Sequence, residues 1–371
     1  RIENASSIPL PNTMKRIRYK NETSRRFLFV ACIFNAANAL SITTFNILAA
    51  VHRSVPTTGE AARESERRDL WLPRAEALAQ FVAEELSFSD VVLLQEWWFG
   101  QEFQQVFDHY TSGIFDRIAE QRPGPVPGTL REDGMAVLVK KKGKLKLLDS
   151  AKVQTGPQRI AQVVRCQERS DSKRPVVLGN THLSFPGGPD PVVMARRQAY
   201  EAHILARTLS KTGRQLAGAE GGHLQILAGD FNSNSCGLAS AALESTRHYN
   251  FINCMSAHAE QNLNSIGGSV GVGVTHRTHR GEEVSVDQIF ARLMNEDGSV
   301  SKTSLRRLGG PAGTHVVDCC KRPMQIEGEG ILSDHMPVTA TLYWPTTISR
   351  EKQNSSSTGD ICHPLESPWN T

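Results

Sequence analysis

The chain has 371 residues, 39% of them hydrophobic and 22% charged, ordinary values for a globular protein long enough to bury a sizeable core. Its formal net charge of +4 is uneven: seven of the 42 Lys and Arg and two of the 38 acids fall in residues 1–39, which leaves 35 bases against 36 acids in the rest. A body of charge −1 excludes a broad electrostatic grip on nucleic acid and leaves room only for a local basic groove.

Residues 1–39 read as a targeting segment. Basic "MKRIRYKNETSRR" (14–26) precedes apolar "FLFVACIF" (27–34) and small "NAANA" (35–39), the layout of a secretory signal peptide starting at Met14. The apolar run is much shorter than the about 20 residues that cross a bilayer, so no stable membrane span is expected. The expected address is the secretory pathway or the cell exterior, with an organelle or the cytoplasm as the alternative. Six cysteines follow: Cys166, Cys236, Cys254, Cys319, Cys320 and Cys362. An even number permits disulfides and equally fits buried free thiols. None has the spacing of a zinc site.

The first predicted strand is "LSITTFNILA" (40–49). "LPRAEALAQFVAEEL" (72–86) places Ala75, Leu78, Ala79, Val82 and Leu86 at helical spacing. "DVVLLQEWW" (90–98) holds the continuous apolar run of a strand buried on both faces. "RPGPVPG" (122–128) is a loop. "GMAVLVKK" (134–141) and "RPVVLGNTHL" (174–183) are strands, and "DPVVMARRQAYEAHILARTLSK" (190–211) is a helix with Pro191 in its first turn. "HLQILAGDFN" (223–232) is a strand. "SIGGSVGVGV" (265–274) is glycine-rich but lacks the Lys-Ser/Thr of a phosphate loop, so it receives no nucleotide role. "VSVDQIFARL" (284–293) alternates like a strand, and "LSDHMPVTATLYW" (332–344) is a loop followed by the last strand. Residues 346–371 form a polar tail expected to be disordered. One domain over 40–345, with strands mixed among a few helices and no solenoid repeat, indicates a layered mixed α/β architecture.

The apolar strands keep ending in a carboxylate, an amide or an imidazole: Asn46, Glu96, His182, Asp230 with Asn232, Asp287, and Asp334 with His335. Strand ends on a rigid scaffold are where function is usually placed. Asp230 and Asn232 are two apart, so an extended backbone points both to one side while Phe231 faces the packing. Gly229 before them allows a turn or a close approach. One aspartate after a strand is ordinarily a turn residue; the order of the whole set carries the signal. Glu96, Asp230 and Asp334 cannot share a partly buried pocket cheaply, because like charges repel and each loses its hydration. A divalent cation removes the conflict, and an oxygen-rich set without Cys favours Mg²⁺ or Mn²⁺ over zinc. Asp287 is suited to bond His335 and fix its tautomer. An acidic cation site beside an oriented histidine suits metal-assisted hydrolysis of a phosphate ester.

Taken in order, "TFNILA", "LLQEWW", "EDGMAVLVK", "NTHLSF", "LAGDFNS", "SVDQIF" and "LSDHMPV" resemble the endonuclease/exonuclease/phosphatase superfamily, the deoxyribonuclease I-like fold, from Leu40 to Trp344. The resemblance implies a four-layer α/β/β/α sandwich of two packed mixed β-sheets flanked by helices, with the site at one end. It implies that Asn46, Glu96 and Asp334 surround the main metal. It also implies that Asp230 and Asn232 position the attacking water or a second metal, that His182 and His335 face the phosphate, and that Asp287 partners His335. "FNILA" and "GDFNS" resemble the deadenylase and nocturnin-like branch, and plant and algal members without an assigned substrate. Gln288 stands where that branch has Tyr, and "SVDQIF" departs from the "WCDRIL"-like segment of the inositol 5-phosphatases.

The implied activity is Mg²⁺-dependent phosphodiester hydrolysis on RNA, DNA or a nucleotide, with single-stranded nucleic acid as a candidate partner and no protein partner expected. A lipid phosphodiesterase of the sphingomyelinase kind is the runner-up. It wants an exposed apolar loop, and "EWWFGQEF" (96–103) offers Trp97, Trp98 and Phe99. Those rings would stack bases in a nuclease or simply pack the core. A non-catalytic binding module on the same scaffold is a third reading, although no metal residue is missing from the pattern. "THRTHRGEE" (275–283) offers Arg277 and Arg280 to substrate phosphates, or is a solvated loop. Small sugar phosphates stay open as substrates beside nucleic acid and lipid.

Overall fold

The computed structural model describes residues 39–343 apart from 56–61, 172, 188–189, 217–221, 246–247, 258–273, 279–280, 301–313, 318–324 and 327–329. The targeting segment, the polar tail, most of the glycine-rich loop, Arg280, Cys319, Cys320 and Cys362 lie outside the described residues.

Two six-stranded sheets dominate the chain. Their strands, in chain order, are β1 (Ala39–Asn46), β2 (Val91–Trp98), β3 (Phe115–Pro123), β4 (Leu130–Lys140), β5 (Leu145–Gly156) and β6 (Arg159–Glu168). Then come β7 (Pro175–His182), β8 (His223–Asp230), β9 (Ile252–Asn253), β10 (Asp287–Met294), β11 (Thr314–Val317) and β12 (Val338–Tyr343). The first sheet has the order β11-β12-β1-β2-β4-β3 and the second β9-β10-β8-β7-β6-β5. Each is built on one plan, a central parallel pair (β1 with β2, β7 with β8) flanked by antiparallel neighbours.

The layers follow from where the apolar side chains go. Ile42, Leu93, Val164, Leu178, Ile226 and Ile289 fill the space between the sheets. The outer face of the first sheet, with Phe45, Leu94 and Trp97, is covered by α1 (Arg68–Glu84) and α2 (Gln101–Thr111) through Trp71, Leu78 and Phe107. The outer face of the second sheet is covered by α3 (Pro191–Gln215) and α4 (Leu238–Glu244), where Leu205, Leu209 and Leu243 meet Val177, Leu227 and Phe290. Central strands are therefore buried on both sides, which is why "VVLL" and "ILA" run apolar without alternation. The result is the expected α/β/β/α sandwich. Helix α3 starts where Pro191 predicts: Asp190 caps it, its carboxylate accepting the amides of Val192 at 2.8 Å and Val193 at 3.2 Å.

This plan decides the site. The parallel pairs send Asn46, Glu96, His182 and Asp230 to one end of the sandwich. Strand β10 runs antiparallel to β8, so its first residue, Asp287, lies beside Asp230, which on the other side pairs with His182. Strand β12 runs antiparallel to β1, so the segment leading into it, with Asp334 and His335, reaches the same end. Cys166 and Cys254 are buried free thiols, pushed up to about 12 by burial, and Cys236 is exposed and free; the three described cysteines use none of the disulfide option. Among the described residues no helix is long and apolar enough to cross a membrane.

Candidate functional site

Gly229 explains how β8 delivers its aspartate. Its φ is +150°, and a Cβ there would lie 1.9 Å from the carbonyl oxygen of Thr181 on β7. Only glycine allows that approach. The chain then turns at once. Asp230 Oδ1 accepts the amide of Asn232 at 2.8 Å, Asn232 takes φ 48°, and Phe231 inserts into the outer core against Phe290. The side chain of Asn232 donates to the carbonyl of Leu183 at 3.0 Å, which fastens the turn to the end of β7.

Glu96 is aimed by a bulge. Gln95 pairs with Met135 and Trp97 with Gly134, so Glu96 is one residue too many and sits at φ 55°. Such a bulge turns a side chain out of the strand's alternation. The carboxylate receives the Ala49 amide on Oε2 at 3.1 Å and Asn46 Nδ2 on Oε1 at 3.2 Å. Leu48, at φ 51°, donates its amide to Asn46 Oδ1 at 3.0 Å. Three left-handed non-glycine residues (Leu48, Glu96 and Asn232) thus gather at this end, a concentration of backbone strain typical of functional sites.

Asn46 joins the two sheets. Its Nδ2 also donates to Asp230 Oδ2 at 3.0 Å. The same oxygen has His182 Nε2 at 3.5 Å and His335 Nε2 at 3.6 Å. His335 is oriented from behind: its Nδ1 donates to Asp287 Oδ2 at 2.8 Å. Asp334 lies alongside, with Oδ2 3.4 Å from His276 Nε2 and Oδ1 4.0 Å from His335 Nε2. The rings of His276 and His335 stack at 4.1 Å with 4° between their planes.

The charges follow from the surroundings. Burial opposes a proton charge on His335, but Asp287 and Asp230 outweigh it and hold the imidazole up to about 10, a cation at neutral pH. Burial, helped by Arg159 and Arg122, holds His182 well below its usual 6.5, so that imidazole is neutral. Burial raises Asp230 above the usual carboxylate value against the opposing charge of His335. Burial also works against ionised Asp334, yet the bond from His276 and the charge of His335 prevail and lower its pKa.

The donor set fits a divalent cation. Buried oxygens Asp334 Oδ1 and Asp287 Oδ1 have no hydrogen-bond partner. Two groups, His276–Asp334–His335 and Asp230–Asp287–His335, each bring their atoms within 4.8 Å of one another, and with His335 protonated the carboxylates of Asp334, Asp230 and Asp287 are the donors they leave for a cation. Glu96 belongs to neither and reaches Asp230 only through Asn46.

The structure gathers Asn46, Glu96, His182, Asp230, Asn232, Asp287, Asp334 and His335 at one end of the sandwich. It does not gather Arg277. His276 and Arg277 are consecutive residues of a two-residue strand, so they face opposite ways; His276 turns inward, and exposed Arg277 pairs with Glu283. Sequence reasoning chose the arginines of "THRTHR" and missed His276. No local signal marks it; the buried hydroxyl of the preceding Thr275 accepts the amides of Val286 and Asp287 and so pins the segment to β10. Of the readings of 96–103, the structure shows the core-packing one. Trp97 is fully buried on Phe103, Phe107 and the Arg117 guanidinium, and half-buried Trp98 packs on Trp71.

The Endonuclease/Exonuclease/phosphatase family model matches residues 43–335. An uncharacterized calcium-binding protein of Arabidopsis thaliana is 25% identical over 263 residues, 68% of this chain and 50% of its own length. The chain thus spans about half of that relative. Among solved structures, an endonuclease/exonuclease/phosphatase from Bacteroides vulgatus is 18% identical with a TM-score of 0.53, over 82% of this chain and 98% of its own. The human nocturnin catalytic domain with bound sulfate is 17% identical with a TM-score of 0.53, over 82% and 93%. Truncated Caenorhabditis elegans TDP2 is 16% identical with a TM-score of 0.53, over 83% and 98%. These structures share the fold. By the extent of the family match, the chain belongs to the endonuclease/exonuclease/phosphatase family, whose members are generally hydrolases of phosphate esters.

Proposed function

We propose that this chain is a phosphodiesterase that uses Mg²⁺ or Mn²⁺ and acts on RNA, DNA or a nucleotide. The observation that carries the reading is the convergence on Asp230 Oδ2 of Asn46, neutral His182 and cationic His335 backed by Asp287. Glu96 and Asp334, with Asn46 beside them, would hold the metal, which supplies Lewis acidity at a phosphate oxygen. The protein's own groups do the rest. Asp230, held by the Asn232 amide and raised in pKa by burial, is placed to orient water and take its proton. His335 presents Nε2–H toward the same space and donates to a phosphoryl oxygen as charge builds there. His182, neutral, offers a hydrogen bond without adding a second cation. Burial of Trp97 removes that ring from a lipid-facing loop and from base stacking alike, so it does not bear on the choice of substrate.

The test is a panel of phosphoesters (oligonucleotides, nucleotides, sphingomyelin, sugar phosphates) assayed with Mg²⁺ and with chelator. Metal-dependent cleavage of a nucleotide or oligonucleotide supports the reading; cleavage of sphingomyelin alone moves it to lipid, and undiminished cleavage after exhaustive chelation overturns the metal.

A further inference from the structure

An open pocket of about 240 Å³ lies beside His182, outside the acidic cluster, and its wall carries Arg122, Arg131, Arg159, Arg197, Ser184 and Phe185. Among the described residues, four guanidinium groups meet two carboxylates there. Asp133 takes Arg122 and Arg131, and Glu201 takes Arg197 while also accepting the amide and hydroxyl of Ser184. The excess is positive, on a body whose overall charge is near zero.

The arginines are held in place rather than loosely solvated. Arg122 is buried, anchored on Asp133, and its Nε has no hydrogen-bond partner. Arg131 donates to Gln158 at 3.0 Å; Gln158 sits at φ 62° in the tight turn between β5 and β6 that also supplies Arg159. Arg159 donates to the carbonyl of His182 at 3.4 Å. That bond ties the pocket to the strand end that faces Asp230. Preorganised planar forks of this kind match phosphate oxygens in pairs.

The pocket is not the place of the reacting phosphate. That place is the cluster around Asp230, which Arg159 borders through the carbonyl of His182. A neighbouring anion of the same substrate would fall here. Phe185 is 57% exposed on the pocket wall and offers a flat apolar face to the sugar or base between the two anions. We infer that the arginine pocket is a subsite for a second, non-scissile phosphate of the substrate, an inference that rests on the phosphodiesterase reading above.

The test pairs two esters with one ion. p-Nitrophenyl thymidine 5′-phosphate carries one phosphate, and its 3′-phosphorylated form carries a second. With Mg²⁺ the two-phosphate ester should show a KM roughly 10–100-fold lower, the range for charged hydrogen bonds to one group. Arg159→Gln should remove that preference; Arg131→Gln combined with Arg197→Gln, both at the rim, serves as the second variant if the first unfolds. In parallel, inorganic phosphate in EDTA should bind the wild type, by calorimetry, at least about 10-fold more tightly than either variant. Equal KM for both esters overturns the subsite and leaves the phosphodiesterase reading standing. Phosphate affinity unchanged in the variants also overturns it. Hydrolysis of neither ester, with phosphate binding that the variants lose, supports an anion pocket and overturns the phosphodiesterase reading.

Discussion

His335 Nδ1 and Asp287 Oδ2 meet at 2.8 Å, and both side chains are buried. The pair holds one imidazole nitrogen and aims the other at Asp230, 3.6 Å away. A group that acts through such a pair should fail as a unit. His335→Ala should lower kcat about 10²–10⁴-fold, the range for a lost proton donor. Asp287→Asn should cost nearly as much, and the double variant little more than either single change. Losses that add in the double variant would show that the two residues act independently.

Metal dependence should follow the carboxylates. Activity should vanish in chelator and return with Mg²⁺ or Mn²⁺. Glu96→Gln keeps the shape and the Ala49 contact but removes a charge, so the metal concentration for half-maximal activity should rise roughly 10–100-fold. His335→Ala should leave that concentration near the wild-type value, because a cation held by Asp287 is a poor metal ligand. A metal titration of both variants separates the roles; equal shifts would place His335 among the ligands.

Gly229→Ala tests the close approach of β7 and β8. The new methyl would meet Thr181 O at 1.9 Å, on backbone that L side chains avoid. Backbone on both sides of the clash cannot swing away as a side chain would. Urea unfolding should show a loss of at least about 2 kcal/mol, and activity should fall further as Asp230 shifts. A variant as stable as the wild type would mean that the strands separate freely.

Much of this was legible because the central strands are buried on both faces and end together. The apolar runs before Asn46, Glu96, His182 and Asp230 needed no knowledge of partners. Strand β5 was not legible: it is an edge strand, with only Leu145 and Thr155 buried along "LKLLDSAKVQTG". Helix α2 buries Phe103, Phe107 and Thr111, with Val106 and Tyr110 half-buried beside them, a helical period that the expectation of an apolar loop over 96–103 obscured. Whether Trp97 faced solvent depended on that unread helix, which covers it. His276 owes its place to a bridge with His335, a contact across 59 positions that no local pattern announces. Trp97→Ala should therefore behave as a core deletion, losing about 3–5 kcal/mol in denaturant unfolding, with KM for a short oligonucleotide unchanged in the folded fraction. A raised KM at unchanged stability would restore the ring to the substrate.

The Arg122–Asp133 pair was equally hidden, since only the β3–β4 hairpin brings the two together. Burial works against ionised Asp133, but His52 and Arg122 outweigh it and hold the carboxyl below its ordinary value. The sign of the linkage follows. A carboxylate with a depressed folded pKa contributes stability above its unfolded value, about 3.9, and that contribution is lost as pH falls through the folded value. Asp133→Asn removes the charge at every pH and leaves Arg122 buried without its partner, a loss of about 3–5 kcal/mol near neutrality. The stability gap between wild type and variant should stay level from pH 7 to about pH 4 and narrow below that, because the wild type then protonates Asp133 as well. Urea midpoints for both proteins between pH 7 and pH 3 measure the gap. Taking the difference cancels the other carboxylates, which titrate alike in both. A gap that stays constant to pH 3, or that closes already near pH 6, would put the charge that matters somewhere other than Asp133.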